Sequence, residues 1–303
     1  MTIPSEEIIS HLESEAEGFS RLSRKRAGFA LIVFRQNPVS LIGLLIVVAL
    51  IVASIVGPYF VAYGPDTVNP RIKMQAPSFS HPFGTDTYGR DVLSRVVSAA
   101  RVDLLIAMTS IGVAFVIGII LGSIAAYLRG LADTLLMRFL DIVQSFPQFI
   151  LGMGLAVAIG PGLRNLIIVI TVIMTPGFAR MVRSRILSLR EMPYVDAARC
   201  SGVPTLKIIF VYLVPNSLGP IIVSCALNIS YAMLDAAGLS FIGLGIRPPQ
   251  AEWGMMISDG MNNMLAGEWW VSVFPGLALF ISVLGFNLLA DGLRDIIDPR
   301  MRR

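Results

Sequence analysis

Charge is scarce in this sequence. Of 303 residues only 15% are Asp, Glu, Lys or Arg, where a soluble domain carries about 25%. Lysine is scarcer still, with Lys25, Lys73 and Lys207 alone, and none of them follows a glycine. A phosphate-binding loop needs Gly-Lys-Ser/Thr, so ATP hydrolysis, if it is coupled to this chain, is expected in a partner. Histidine is limited to His11 and His81, which fall in different compartments and cannot build a metal site of ordinary ligand density. Cys200 and Cys225 make no disulfide framework and read as small packing residues. No low-complexity tract and no convincing internal repeat stands out, which weighs against an inverted-repeat carrier. A signal peptide is not expected either: a long polar stretch with Glu6, Glu7, Glu13, Glu15 and Glu17, then Arg21, Arg24, Lys25, Arg26 and Arg35, precedes the first apolar run.

What is abundant is apolar. Hydrophobic residues make up 55% of the chain, the mean hydropathy is +0.74, and the excess lies in long uncharged runs. That excludes an ordinary soluble enzyme and identifies an all-α polytopic membrane protein. Six spans are expected: Leu41 to Val61, Leu104 to Leu128, Leu136 to Ile159 (interrupted by Asp141 and Pro147), Asn165 to Met181, Pro215 to Gly238 and Trp270 to Ala290. The chain then divides into a cytoplasmic tail 1–38, a first transmembrane helix 39–62, an extracytoplasmic loop 63–103, a core 104–291 with a cytoplasmic loop 186–214, and a tail 292–303. With both termini inside, the inner segments hold 17 basic residues and the outer ones 7, so the positive-inside rule selects N-in/C-in. Trp253, Trp269 and Trp270 flank the last span and read as interfacial aromatics.

The loop between the fourth and fifth spans is the most informative segment. Pro193 suits the first turn of a helix, and small Ala197 and Ala198 lie within Tyr194 to Ser201. Gly202 is a left-handed stop. Pro204-Thr205 starts a second helix that runs to Pro215, where a kink into the membrane is expected. One reading is an amphipathic connector resting on headgroups. The other is a docking helix: small side chains and the single acid Asp196 let another backbone come close.

This stretch resembles the EAA loop of the membrane subunits of ATP-binding-cassette (ABC) importers: Glu-Ala-Ala, three residues, Gly, nine residues, Ile-x-Leu-Pro. Here it reads Asp196-Ala197-Ala198, three residues, Gly202, nine residues, Tyr212-Leu213-Val214-Pro215. The spacing is kept, while Asp replaces Glu, Tyr replaces Ile and Val replaces Leu. More of the chain is similar to the second (C-type) membrane subunit of dipeptide and oligopeptide permeases. The blocks are His81-Pro-Phe-Gly-Thr-Asp86-Thr-Tyr-Gly-Arg-Asp91, Met137-Arg138 with Asp141 and Phe146-Pro147, Leu239 to Gly245 with Pro248-Pro249, Trp253-Gly254, Phe274-Pro275-Gly276, Phe286-Asn287 to Asp295, and Asp298-Pro299-Arg300.

The resemblance implies a type I ABC importer transmembrane fold in the bacterial inner membrane. It implies a homologous permease subunit beside the chain, two cytosolic ATPases below it and an extracytoplasmic solute-binding protein above. This chain then binds no cofactor, ATP and Mg being used by the partners, and it works by alternating access. Pro193, Tyr194, Asp196, Ala197, Ala198, Arg199 and Gly202 are the expected ATPase-coupling residues.

Other residues are open to two readings. Asp86 or Asp91 caps a helix Val92 to Val102, or Asp86, Arg90 and Asp91 help dock the binding protein. Asp235, with Asn228 and Tyr231, lines the translocation pathway, or its carboxylate is bonded to Asn228, Ser230 or Tyr231. Asp141 pairs with Arg138 or Arg180. Gly43, Gly57, Gly112, Gly118, Gly122, Gly152 and Gly154 serve packing within the chain or a dimer interface. No catalytic or metal site is expected, nor any nucleic-acid partner. Lipid surrounds the chain. The function expected is import of peptides or peptide-like solutes. The alternatives are an importer of nickel, glutathione or an opine-like solute, or an ion-coupled carrier without ATPases.

Overall fold

The computed structural model describes residues 38–128 and 130–297. The acidic-then-basic tail, Arg129 and Asp298-Pro299-Arg300 lie outside the described residues. The helices are α1 (Pro38–Phe60), α2 (Val92–Leu128), α3 (Gly130–Ser145), α4 (Gln148–Ile159), α5 (Leu163–Leu189), α6 (Pro193–Cys200), α7 (Thr205–Phe241), α8 (Trp253–Met261) and α9 (Trp270–Ile297). Among the described residues the only β-structure is one isolated antiparallel bridge, Thr85 to Asp91. Helices α1, α2, α5, α7 and α9 are each long and apolar enough to cross a membrane, and the bent pair of α3 and α4 makes a sixth when counted as one broken span.

Several features differ from the sequence expectation. The helix expected over Val92 to Val102 and the second span are one helix of 37 residues. Asp103 does not end the span, because α8 buries its carboxylate, leaving the side chain inside a contact. The third span is not merely interrupted: α3 and α4 meet at 90°. Pro147 has no N–H for α3, disfavours helical backbone at Phe146, and starts α4 instead, its carbonyl accepting from Leu151 N at 3.0 Å.

Pro215 does not interrupt the helix, which runs through it from Thr205 to Phe241. Ahead of it Ile208–Leu213 forms a π turn, with Val214 N–H donating to Ile209 O five residues back. The wider turn displaces the carbonyl that the proline ring would strike, and the helix continues. The fourth and last spans also run on toward the cytosol, to Leu189 and Ile297.

The core is a close packing of α2 on α5, flanked by α7, with α9 holding α1. Gly118 and Gly122, one turn apart on α2, abut the α5 backbone: a Cβ on either would collide with Phe178 or Ala179. Gly43 lies against Leu288 and Leu289 of α9, and Gly57 against Val97. These glycines serve packing within the chain. Gly112 and Gly154 have nothing near their Cβ positions, so the dimer-interface reading survives for those two.

Two tryptophans expected at the membrane interface are core residues. Trp253 is 1% exposed and donates Nε1–H to Val96 O at 3.0 Å. Trp270 donates to Thr85 O at 3.1 Å. Trp269 alone is exposed. Of the two thiols, Cys225 packs half-buried against the core, whereas Cys200 is exposed and is not a packing residue.

Candidate functional site

On the cytosolic side the chain turns from α5 into α6 through Arg190 and Glu191. Pro193 occupies the first turn of α6, where its missing N–H costs nothing. Val195 and Ala198 point into the core, while Tyr194, Asp196 and Ala197 face out. Of the small pair, only Ala197 is therefore exposed. Asp196 accepts from Arg199 Nη1 at 3.1 Å.

The helix ends as Gly202 predicted. With φ at 73°, Gly202 donates to Arg199 O at 3.0 Å and Val203 donates to Ala198 O at 3.1 Å. These paired bonds form a Schellman stop, and it requires the left-handed conformation that glycine adopts without strain.

Arg190 and Tyr127, both missed by the sequence reading, tie this helix to the membrane core. Arg190 Nη1 donates to Ala126 O at 2.9 Å and Tyr127 O at 3.2 Å. Its positive charge thus sits at the carbonyl end of α2, where the helix dipole favours it. The Arg199 guanidinium lies 5.8 Å from the Tyr127 ring centroid. Basic residues in a cytosolic loop signal topology but not their acceptors, so nothing in the loop's pattern singles out Arg190.

Within the membrane, Asn228, Tyr231 and Asp235 share one face of α7, at spacings of three and four. Asn228 Nδ2 turns back to Ser224 O at 2.7 Å, and Tyr231 projects outward, exposed. Asp235 is bonded to none of the residues expected nearby. Its Oδ2 accepts from Gln148 Nε2 at 2.7 Å, from the first residue of α4 just past the bend. Below this contact, Asp141 on α3 pairs with Arg180 on α5 at 2.8 Å, which selects Arg180 over Arg138. Deeper still, Asp133 receives both Nε and Nη2 of Arg183 at 2.6 Å. Gln144 and Gln148 line a cavity of about 250 Å³ at the bend, with Val143, Phe146, Leu151 and Ile173.

On the outer side, the motif read as a docking surface is buried. Asp86, Arg90 and Asp91 face inward. Asp86 accepts from Arg90 Nε at 2.6 Å, and from the Tyr88 and Arg90 backbone N–H groups at 2.9 Å. Asp91 caps α2 through Ser94 N at 2.8 Å and holds His81 Nδ1 at 2.8 Å. These three side chains shape the loop and do not present a face to a binding protein. Mutual pairing lets such polar residues lie inside, and a sequence motif does not reveal that. Below them Arg95 reaches Pro65 O and Asp66 Oδ1 at 3.1 Å and Pro249 O at 3.3 Å. Asp259 on α8 faces Arg90 and Arg95. Burial raises its carboxyl above the usual range, and the two guanidiniums oppose the rise.

Known proteins place this architecture. Residues 118–303 match the family model for the binding-protein-dependent transport system inner membrane component, and residues 29–77 match the N-terminal TM domain of oligopeptide transport permease C. The chain is 39% identical over 268 residues to the dipeptide transport system permease protein DppC of Alkalihalophilus pseudofirmus, covering 88% of each. It is 41% identical over 261 residues to a putative peptide transport system permease protein of Brucella suis, covering 86% of this chain and 88% of that one. A glutathione transport system permease protein, GsiD of Pectobacterium atrosepticum, is 37% identical over 228 residues, 75% of each chain. Among solved structures, a chain of the MetNI methionine ABC transporter in inward-facing conformations superposes with a TM-score of 0.53 at 23% identity, over 67% of this chain and 96% of that one. The fold is that of a type I ABC importer membrane subunit. The chain belongs to the family of inner membrane components of binding-protein-dependent transport systems, as a multi-pass permease.

Proposed function

We propose that this permease carries peptides or peptide-like solutes inward, as one of two homologous membrane subunits driven by two cytosolic ATPases and supplied by an extracytoplasmic binding protein. The observation that carries this reading is the build of the cytosolic loop. Helix α6 offers Tyr194, Asp196 and Ala197 outward, is anchored at its back by Val195 and Ala198, and stops at Gly202. The chain then enters α7, whose single helix also bears Asp235. A force on α6 is thereby delivered to the span that carries the polar face of the pathway. In this scheme the chain holds no catalytic residue, and ATP and Mg are bound by the ATPases.

Peptide is favoured as substrate because the relatives at 39% and 41% identity are named for dipeptide or peptide transport. Glutathione, itself a modified peptide, is the second reading, on the strength of the relative named for it. An opine-like solute has nothing comparable in its favour, and direct nickel coordination lacks histidine near the pathway. The ion-coupled alternative is set aside, since membership of a binding-protein-dependent family implies ATP-driven partners.

The test is purification from native membranes in mild detergent, followed by mass spectrometry and uptake in proteoliposomes. Two ATPases and a second six-span protein should co-purify. ATP-dependent uptake of a labelled dipeptide should resist competition by glutathione. A chain that purifies alone, or uptake driven by a proton gradient without ATP, overturns the reading.

A further inference from the structure

A surface that faces hydrocarbon does not carry half-exposed charges, because the cost of an ion there is prohibitive without water or a partner. The surface built from α3, the bend, α5 and α7 carries several. The Asp141 and Arg180 side chains are 50% and 52% exposed. Gln144 and Gln148 open onto the cavity at the bend, and Asp235 follows above them. Such a face needs water or a polar partner against it. Along it Asp141 is neutralised by Arg180, and Asp133 by Arg183.

Asp235 differs: no Arg, Lys or His among the described residues pairs with it, and its hydrogen-bond partner there is the neutral amide of Gln148. A carboxylate kept in a half-buried site by an amide alone favours a cation over that amide, since charge-assisted hydrogen bonds are about twice as strong as neutral ones. A single carboxylate with one amide is too few oxygens for Ca²⁺ or Mg²⁺, but it suits a primary ammonium. Tyr231, one turn below on the same face, is exposed and adds an aromatic surface that cations favour.

We propose that Asp235 is a transit site for the N-terminal ammonium of a peptide, with Gln148 holding the carboxylate between passages. The proposal rests on the peptide-import reading above. The passing ammonium displaces the Gln148 amide, and release returns it. Because Gln148 opens α4 at the bend, each exchange also frees or fastens the junction of the broken span to α7.

The test uses the assembled complex with Cys200→Ser and Cys225→Ser, and a reporter Tyr231→Cys. This reporter is labelled with a cationic and an anionic methanethiosulfonate. The cationic reagent should react about tenfold faster, after correction for the two rates on free cysteine, as a local negative potential demands. Asp235→Asn should abolish that preference and Asp235→Glu should keep it. During ATP-driven turnover with dipeptide-loaded binding protein, labelling should slow in the Asp235 protein and not in Asp235→Asn. No labelling by either reagent, equal labelling, or a preference that survives Asp235→Asn overturns the proposal; the first would mean that lipid or a partner chain seals this face. If the cation preference behaves as expected but the unsubstituted complex imports no peptide, the peptide reading fails and the ammonium assignment with it. If that complex imports peptide and the preference is absent, only the transit site fails.

Discussion

Asp103 of α2 and Glu252 at the start of α8 meet as two buried carboxyl groups, 1% and 0% exposed, with no cation among the described residues beside them. Glu252 caps α8, accepting from Gly254 N at 2.9 Å and Met255 N at 2.8 Å. Asp103 Oδ2 accepts from Trp253 N at 3.2 Å, while its Oδ1 has no donor from the described residues. Two such groups cannot both be ionised, so the pair holds a proton between them. Burial is the main cause that pushes the Glu252 carboxyl above its usual range.

A carboxyl with a raised folded-state pKa binds its proton more tightly in the native protein than in the unfolded chain. Stability is then greatest in acid. It falls as pH rises above the usual glutamate range, and levels off only above the folded-state value. The melting temperature in detergent, followed by tryptophan fluorescence, should therefore drop between pH 5 and 9. Asp103→Asn supplies a permanent N–H to Glu252. It should lie within about 1 kcal/mol of the unsubstituted protein at pH 5 and exceed it at pH 9. A melting temperature independent of pH in the unsubstituted protein would contradict the shared proton.

Gly202 has φ of 73° and open space around its Cβ position, so a side chain there is penalised by backbone conformation and not by collision. Gly202→Ala should cost about 1–2 kcal/mol, Gly202→Val more because of its branched Cβ, and Gly202→Asn less. Membrane insertion should survive in all three. Uptake per inserted molecule should fall in the order Asn, Ala, Val. Normal uptake by a well-expressed Gly202→Val protein would remove α6 from the coupling route.

Asp133 and Arg183 form a two-pronged pair between α3 and α5, with side chains 14% and 30% exposed. The geometry fits a fork-to-fork contact, and the partial burial limits solvent screening. A double-mutant cycle of Asp133→Asn and Arg183→Gln, read by thermal stability, should return a coupling of about 1–2 kcal/mol. The exchange Asp133→Arg with Arg183→Asp should recover part of what each single reversal loses. Strict additivity would show that the two side chains act independently.

Arg95 fastens the segment after α1 and the segment before α8 to the first turns of α2. Nη1 alone reaches Pro65 O, Asp66 and Pro249 O, while Nε of the same guanidinium faces Asp86 at 3.7 Å, and a lysine ammonium is a single point that cannot serve both sides. Arg95→Lys should therefore behave as a disruptive change, and Arg95→Met should cost about 3 kcal/mol by stranding buried acceptors. Limited proteolysis from the outer side should cut residues 62–91 faster in both variants. Unchanged cleavage would show that the loop is held by Asp86, Arg90 and Asp91 alone.

Features governed by local rules were legible in the sequence. Apolar runs placed the spans, Gly202 placed the stop of α6, and Pro147 marked an interruption. The size of the bend was not legible, because α5 and α7 set the direction of α4, not Pro147. The partner of Asp235 was missed for the same reason: Gln148 lies 87 positions away, and no local spacing relates them. Trp253 looked interfacial because a tryptophan beside a span usually is. Its burial depends on α8 folding back onto α2, a tertiary event. Asp86 and Asp91 looked exposed because charge in a loop usually is, and only the pairing of Asp86 with Arg90 and of Asp91 with His81 allows their burial.

Thr205 and Asp235 lie on the same 37-residue helix. The roughly 30 residues between them span about 45 Å at 1.5 Å per residue. For a rod of that length moving as one body, a tilt of about 5° pivoting at one end sweeps the other through about 4 Å. That displacement exceeds the length of a hydrogen bond. The rod thus acts as a lever: a small nudge beneath the membrane is large enough, by geometry alone, to part Gln148 from Asp235 above.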